Sequence, residues 1–438
     1  MEILLYVVGI VVMLVGLGLS IGLHEVGHLV PAKLFGVRVG QYMIGFGPRI
    51  WSKKIGETEY GFKLLPLGGF ISMSGMYPPS KQTRAARGIF AHLVQDARTA
   101  NDETIAEGEE ERVFYRLPVW KRIIVMLGGP VMNLVLGVLI FTILASGIGM
   151  QQGTTTISAL SECVLPAGTS QTECAPGDPA APAAEAGLKP GDVFVSVGGT
   201  KVDTFAEASD IIQANPGTAL PVVVERDGKN VSLSLTPVAA KRSLTDASGR
   251  PLLDDDGEQV VREVGYAGVY SQMGFIRQPL TAGPELAVQQ MGAVANTIIN
   301  LPTRLWDVAV SLFTGSERDP NGPLSVVGVG RIAGEVSATD APVLVRIATL
   351  LQLLASLNLA LFAFNMIPLL PLDGGHIVVA LWEGVKRVWF RLRGRAGAAK
   401  PVDATRLVPL TMVAAVLLIG MGGLLVVADL VNPVNLLG

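Results

Sequence analysis

Residues 3–28 read ILLYVVGIVVMLVGLGLSIGLHEVGH, and this one stretch decides the fold. The run from Ile3 to Leu23 holds about twenty residues without a charge, enough to cross a bilayer as a helix. The pentapeptide His24-Glu25-Val26-Gly27-His28 follows at its end. In a helix, His24 and His28 fall one turn apart on one face, with Glu25 beside them. Two imidazoles so spaced can hold two corners of a tetrahedral zinc, and the carboxylate can serve as base towards a water activated there. Charged residues at the centre of a spanning helix cost roughly 2.5–3.5 kcal/mol each, so three ionisable groups in five positions point to function rather than chance. The chain has four histidines, and this motif uses two of them.

The 438 residues are 50% hydrophobic and 16% charged, with a mean hydropathy of +0.47. That balance indicates an integral membrane protein carrying some soluble mass. Apolar spans are expected at about 3–27, 123–149, 343–367 and 407–428. The net charge of −3 matters less than its distribution. Lys33, Arg38, Arg49, Lys53, Lys54, Lys121 and Arg122 make 31–122 basic. Lys386, Arg387, Arg391, Arg393, Arg395, Lys400 and Arg406 outweigh Glu383 and Asp403 between the last two spans. The intervening 150–340 is acidic on balance, densest at Asp254, Asp255 and Asp256. The excess of Lys and Arg in cytoplasmic loops therefore puts 31–122 and 382–406 inside, and both termini and 150–340 outside.

Cys163 and Cys174 both fall in the external segment, where an oxidising compartment permits a disulfide; two free thiols are the other reading. The first span is expected to be retained. It lacks a basic leading region, and cleavage near Ser20 would part the helix from the motif it positions.

Two histidines leave a zinc site incomplete. Pro31 and Leu34 stand where a metzincin needs Gly and His, and Glu57 and Glu59 fall in a β-loop rather than on a following helix. The end of the third span reads Asn365-Met366-Ile367-Pro368-Leu369-Leu370-Pro371-Leu372-Asp373-Gly374-Gly375-His376. Its prolines and glycines break the helix, and a break at membrane depth is tolerated where it lines a cavity or is buried in protein. Asp373 there is a candidate carboxylate ligand; capping a helix over 374–390 is its other reading. His376 is a rival ligand, better read as supporting the site from behind.

Taken together, His-Glu-x-x-His at the first span and Asn-x-x-Pro…Asp-Gly at a late one resemble the site-2 protease family of intramembrane metalloproteases. Four spans and one external PDZ-like insert are similar to the bacterial branch that cleaves anti-sigma factors. The segments Ile44-Gly45-Phe46-Gly47-Pro48 and Leu65-Pro66-Leu67-Gly68-Gly69-Phe70 resemble that branch's membrane-associated β-loop. Gly128-Gly129-Pro130…Asn133 and Gly322-Pro323-Leu324-Ser325 extend the likeness. Here the second proline falls one place later than the branch pattern, at Pro371, with the Asn365-to-Asp373 spacing retained. Ala184-Glu185-Ala186-Gly187-Leu188-Lys189-Pro190-Gly191-Asp192, followed by Val193-Phe194-Val195-Ser196-Val197-Gly198-Gly199, looks like the bacterial PDZ signature, and it occurs once. A helix over 206–214 and strands at 222–226 and 231–235 about the Asp227-Gly228 turn complete that expectation.

The resemblance implies a polytopic α-helical membrane protein with four transmembrane helices, a membrane-associated β-loop and an extracytoplasmic α+β PDZ domain. Its parts are 1–150 (two spans, motif, β-loop and cytoplasmic loop), 151–240 (PDZ domain), 241–340 (linker and membrane-surface helix) and 341–438 (two spans with the ligand segment). It implies one zinc per chain held by His24, His28 and Asp373, with Glu25 as catalytic base. Asn365, Pro368, Gly68 and Gly69 would meet substrate. The implied location is the bacterial inner membrane, with the active site near the cytoplasmic side. The implied partners are the bilayer, a single-pass membrane substrate such as an anti-sigma factor or a remnant signal peptide, and a peptide or substrate tail at the PDZ domain. A silent PDZ scaffold or a metal transporter are the competing classes; neither needs the full set of His24, Glu25, His28 and Asp373. No phosphate-cradling loop or basic-aromatic patch calls for nucleic acid.

Overall fold

The computed structural model describes residues 1–78, 89–164, 174–175, 178–243, 261–320, 322–394, 402 and 404–434. The run Asp254, Asp255 and Asp256 and the basic Arg395 and Lys400 lie outside the described residues. The chain forms two compact units, Met1–Gly147 with Pro279–Gly438, and Ile148–Gln278.

The first unit opens with α1 (Glu2–Leu34). This helix continues past His28 and through Pro31, so the motif lies inside it rather than at its end. Next, β1 (Val39–Ile55) and β2 (Thr58–Met73) form a bent ribbon. Residues 41–44 of β1 are flanked by 69–72 of β2 on one side and 59–62 on the other, with Ile44 matched to both Gly69 and Phe62. Gly45 and Gly47, at φ 96° and 86°, supply the left-handed backbone of the bend. After α2 (Ile89–Glu103) comes α3 (Val119–Thr142), which ends in a π-helical turn over Ile143–Ile148.

The second unit contains β3 (Met150–Leu160), α4 (Pro182–Glu185), β4 (Val193–Val197), β5 (Thr200–Lys201) and α5 (Phe205–Gln213). It continues with β6 (Leu220–Arg226), β7 (Lys229–Leu235), β8 (Val238–Ser243), β9 (Val261–Tyr266) and β10 (Val269–Ile276). The main sheet is antiparallel in the order β10-β3-β4-β6-β7, with β5 on β4, and β8 pairs β9 separately. Alternating side chains from its inner face, Ile157, Phe194, Val197, Val222, Val224 and Leu235, bury against Ala208 and Ile212 of α5. Asp227 and Gly228 both have positive φ, as a two-residue type I′ hairpin requires. Cys163 and Cys174 are joined in a disulfide. The compact unit does not stop at 240. The described part of the expected linker holds strands, and β10 closes an edge of the sheet by pairing with β3, which satisfies backbone groups that would otherwise stand open.

The chain returns to the first unit through α6 (Ala282–Ile299), α7 (Leu301–Thr314), α8 (Val326–Ala338), α9 (Val343–Asn365), α10 (Asp373–Leu392) and α11 (Val408–Val431). Where a membrane-surface helix is expected within 241–340, two helices, α6 and α7, follow each other, parted at Asn300 ahead of Pro302, whose missing N–H suits a helix start. Among the described residues, four helices are long and apolar enough to cross a membrane: Glu2–Leu34, Val119–Ile148, Val343–Asn365 and Val408–Val431. Asp429 fastens the last of them. Its Oδ1 lies 2.6 Å from Arg318 Nη1, its Oδ2 accepts from the Ser325 backbone N–H at 2.7 Å, and both charged side chains are buried.

Candidate metal centre

Three helices build the site. On α1, the i, i+4 spacing puts His24 and His28 on one face. Helix α3 crosses α1 backbone to backbone at Gly27 and Gly128; a Cβ on Gly27 would stand 2.5 Å from the Gly128 carbonyl carbon. Only small residues allow that approach. The next residue, Gly129, leaves room for both imidazoles, since a Cβ there would lie 2.7 Å from His24 Nε2 and closer still to His28 Nε2. His28 Nδ1 donates to the Val125 carbonyl of α3 at 2.7 Å. A carbonyl only accepts, so Nδ1 carries the hydrogen and Nε2 is left to face the site.

Asp373 arrives from the other end of the chain. Helix α9 stops at Asn365, and Pro368 and Pro371 cannot donate backbone hydrogen bonds. The segment folds on itself through Leu369 N–H to Ile367 O at 2.7 Å, Leu372 N–H to Leu369 O at 2.8 Å and Gly375 N–H to Leu372 O at 3.0 Å. Gly374 and Gly375 pack directly on the backbone of residues 366–370. Asp373 is then the first residue of α10, behind Leu372 at the N-cap, whose apolar side chain makes no capping hydrogen bond. Farther along α10, Glu383 is fully buried and its Oε1 lies 2.9 Å from Arg122 Nη2 of α3, which ties α10 to the helix that crosses the motif.

The outcome is a triangle. His24 Nε2 and His28 Nε2 are 3.2 Å apart, and Asp373 Oδ2 is 3.4 Å from each. A tetrahedral ion with bonds of ~2.0–2.1 Å has ligand-to-ligand edges of about 3.3–3.4 Å, so the three atoms match one face of that tetrahedron. Asp373 Oδ2 is buried without a hydrogen-bond partner among the described residues. Two facing imidazole nitrogens and such an oxygen are stable together when a cation or a shared proton lies between them, and the donor set suits zinc. Among the described residues no other His, Cys, Asp or Glu joins the group.

Glu25 points to the β-ribbon. A Cβ on Gly69 would lie 2.9 Å from Glu25 Cγ and 3.2 Å from its Oε1. The ribbon is held against α1 by Tyr42, whose hydroxyl donates to the Gly22 carbonyl at 2.7 Å. Burial, and then the charge of Glu25, push the Tyr42 hydroxyl up to about 12, so it remains a donor. Lys33 Nζ adds a hydrogen bond to the Tyr60 hydroxyl at 2.9 Å.

The remaining residues singled out in the sequence are spread around this centre. Gly68 backs onto the Phe46 ring. Asn365 ends α9, and Pro368 is exposed in the segment that follows. The His376 ring stacks on Tyr77, with centroids 6.4 Å apart, outside the triangle of ligand atoms. Glu57 pairs with Arg112 and Glu59 with Arg49, remote from the histidines in role as well as in partner. Sequence reasoning missed the glycine crossing at Gly27 and Gly128 and the Arg122–Glu383 anchor. The signal for the second was present, since Glu383 is an acidic residue in a strongly basic stretch.

Comparison with known proteins bears on the same residues. The model of peptidase family M50 matches residues 12–402. The chain is 35% identical over 444 residues to zinc metalloprotease Rip1 of Mycobacterium tuberculosis, covering 99% of this chain and 100% of that one. It is 28% identical over 425 residues to metalloprotease MmpA of Caulobacter vibrioides, covering 90% and 93%. With the probable protease eep of Enterococcus faecalis it shares 26% identity over 435 residues, covering 86% and 90%. A match along nearly the whole length, spanning both the motif on α1 and the aspartate that opens α10, shows that the chain belongs to peptidase family M50, the site-2 protease family.

Proposed function

We propose that this protein is an intramembrane zinc endopeptidase that cuts single-pass membrane proteins within or beside their spanning segment. The observation that carries the reading is the His24–His28–Asp373 triangle, with the fit of its edges to tetrahedral zinc and Glu25 adjoining it. His24, His28 and Asp373 hold the ion, one per chain. When bound, zinc supplies Lewis acidity towards water and towards the scissile carbonyl. Glu25 takes the proton of the attacking water and returns it to the departing amine.

A substrate helix hides its carbonyls in internal hydrogen bonds and must unwind to be cut. The edge of β2 at 69–73, next to Glu25, pairs with the unwound strand and replaces the bonds it loses. Gly68 and Gly69 keep that edge free of side chains, while Asn365 and Pro368 flank the strand from the segment leading to Asp373.

The charge pattern supports an orientation with 31–122 and 382–406 in the cytoplasm and both termini outside the bacterial inner membrane. The unit Ile148–Gln278 is then external. Its Gly187–Asp192 loop, strand β4 and helix α5 support a PDZ-like reading, as a filter or a holder of substrate tails. The substrate class that fits is an anti-sigma factor already trimmed outside, or a remnant signal peptide.

The test is cleavage of a trimmed single-pass substrate by purified enzyme in detergent. Glu25→Gln is expected to abolish cleavage and keep about one zinc per chain, and Asp373→Ala to lose the metal. Undiminished cleavage by Glu25→Gln sinks the mechanism. Full zinc retention by Asp373→Ala removes it as ligand and turns attention to His376.

A further inference from the structure

His28 has an acceptor for its Nδ1 hydrogen in Val125 O, but His24 has none among the described residues. Its Nδ1 is buried and unpartnered. Once Nε2 faces a metal, Nδ1 must carry the hydrogen, so it is an orphan donor inside the protein.

Two interior amides stand near the same level of the helices. Asn358 of α9 is fully buried, and its Nδ2 donates to Ser20 Oγ and to Leu354 O, each at 2.9 Å. A backbone carbonyl only accepts, which fixes the orientation of the amide and leaves Oδ1 as the free end. That Oδ1 is buried with no hydrogen-bond partner among the described residues. Ser20, which donates onward to Gly16 O, lies one turn before His24 on the same face of α1. Side chains lean back towards the start of their helix, so the His24 ring lies over the Ser20 turn. Asn133 of α3 is 1% exposed, and neither its Nδ2 nor its Oδ1 has a partner among the described residues. It sits one turn beyond Gly129, which faces His24, and one turn before Gly137, which faces Leu359 of α9. Asn133 thus lies between the turn of α3 that meets α1 and the turn that meets α9, the two helices that Asn358 and Ser20 join.

The unpartnered atoms are complementary: a donor on His24, an acceptor on Asn358, and one of each on Asn133. Left unpaired, each buried group keeps its full desolvation cost, whereas one buried water making about three hydrogen bonds satisfies such a set. We infer that His24, Asn358 and Asn133 form a hydration site in which a buried water accepts from His24 Nδ1 and donates to Asn358 Oδ1. Asn133 adds the third contact. Asn358 and Asn133 are thus positioning residues for His24. They lock its tautomer and raise the basicity of Nε2, as the Val125 carbonyl does directly for His28. The inference rests on His24 being a zinc ligand.

The test measures zinc affinity of the full-length protein in detergent, stripped of metal and titrated against a competing chromophoric chelator. Asn358→Leu and Asn133→Leu are expected to weaken zinc about 10- to 100-fold, while Asn358→Asp, which keeps an oxygen at the Oδ1 position, stays within about threefold of the parent. A purely structural amide would instead lower the unfolding temperature of the metal-free protein and leave zinc affinity alone; that result overturns the inference. If Asn358→Leu does not fold, Ser20→Ala, which removes one of the two acceptors that hold the amide, replaces it. Unchanged affinity in both Ser20→Ala and Asn133→Leu is equally fatal. His24→Ala separates the two claims. Loss of zinc there with none in the amide variants refutes the hydration site alone, and retention of zinc there refutes the ligand assignment with it.

Discussion

Gly69 of β2 backs onto Glu25 of α1, with Glu25 Cγ only 2.9 Å from where a Gly69 Cβ would stand. The ribbon and the helix that carries Glu25 therefore share one surface, and the lack of a side chain at 69 is what lets Glu25 keep its place. Gly69→Val is expected to push the carboxylate aside by an ångström or so, lowering kcat by about 100-fold. Zinc content should stay at that of the parent, because Gly69 does not face the ligand atoms. Metal analysis beside single-turnover cleavage checks both halves.

Gly129 has the converse role. A Cβ there would crowd Nε2 of both histidines, and drawing α3 back would open the close backbone contact of α1 and α3 at Gly27 and Gly128. Gly129→Ala should therefore lose zinc affinity by about tenfold or more, with helix content by circular dichroism unchanged. Parent-like zinc affinity in a folded Gly129→Ala protein would show that the helices separate more freely than this crossing implies.

The Arg122–Glu383 pair is expected to act on stability first. Glu383 is fully buried, also receives Arg387, and accepts from the Val402 backbone N–H at 3.4 Å. Glu383→Gln leaves Arg122 without its counter-charge, at a cost of about 3–5 kcal/mol. Replacing the pair together, Arg122→Met with Glu383→Leu, should recover much of that loss, since two buried charges are exchanged for apolar packing. Thermal unfolding of the single and double variants in one detergent decides it.

A pH dependence follows for the unit Ile148–Gln278. Arg226 grips the buried Asp192 carboxylate through Nε and Nη2 at 2.7 and 2.8 Å, and the Lys189 backbone N–H adds a third bond at 2.8 Å. These contacts, the guanidinium foremost, hold the Asp192 carboxyl below its ordinary value of 3.8. A depressed folded value stabilises the fold fully above 3.8, and the contribution is lost as pH falls from there through the folded value. Protection of amides in β4 and β6 against hydrogen exchange should decline over that acid range. Arg226→Gln should cost about 2–4 kcal/mol at neutral pH and flatten the decline. A parent-like acid profile in that variant would assign the dependence to another group.

Much of the centre was legible from the order of residues alone, and for local reasons. A run of apolar residues of bilayer length is a helix wherever it occurs, because hydrocarbon offers the backbone no other partner. The i, i+4 spacing then puts His24 and His28 together without help from the rest of the chain. Asp373 stood out because a carboxylate at a Pro- and Gly-broken span end is costly unless used. Local signals failed where partners are distant. The segment from 241 to 340 reads as linker and surface helix, yet β10 within it pairs with β3 across more than a hundred residues of chain.

The sequence by itself determined the helices, the motif and the candidate third ligand, all of which depend on neighbours within a few residues. The tertiary structure decided what they meet. It brought Asp373 onto His24 and His28, set Gly69 behind Glu25 and joined Asn358 of α9 to Ser20 of α1. The physical reason is that helix crossings are fixed by which small residues allow two backbones to touch. Gly27 against Gly128 is such a contact, and nothing in either stretch alone names its partner.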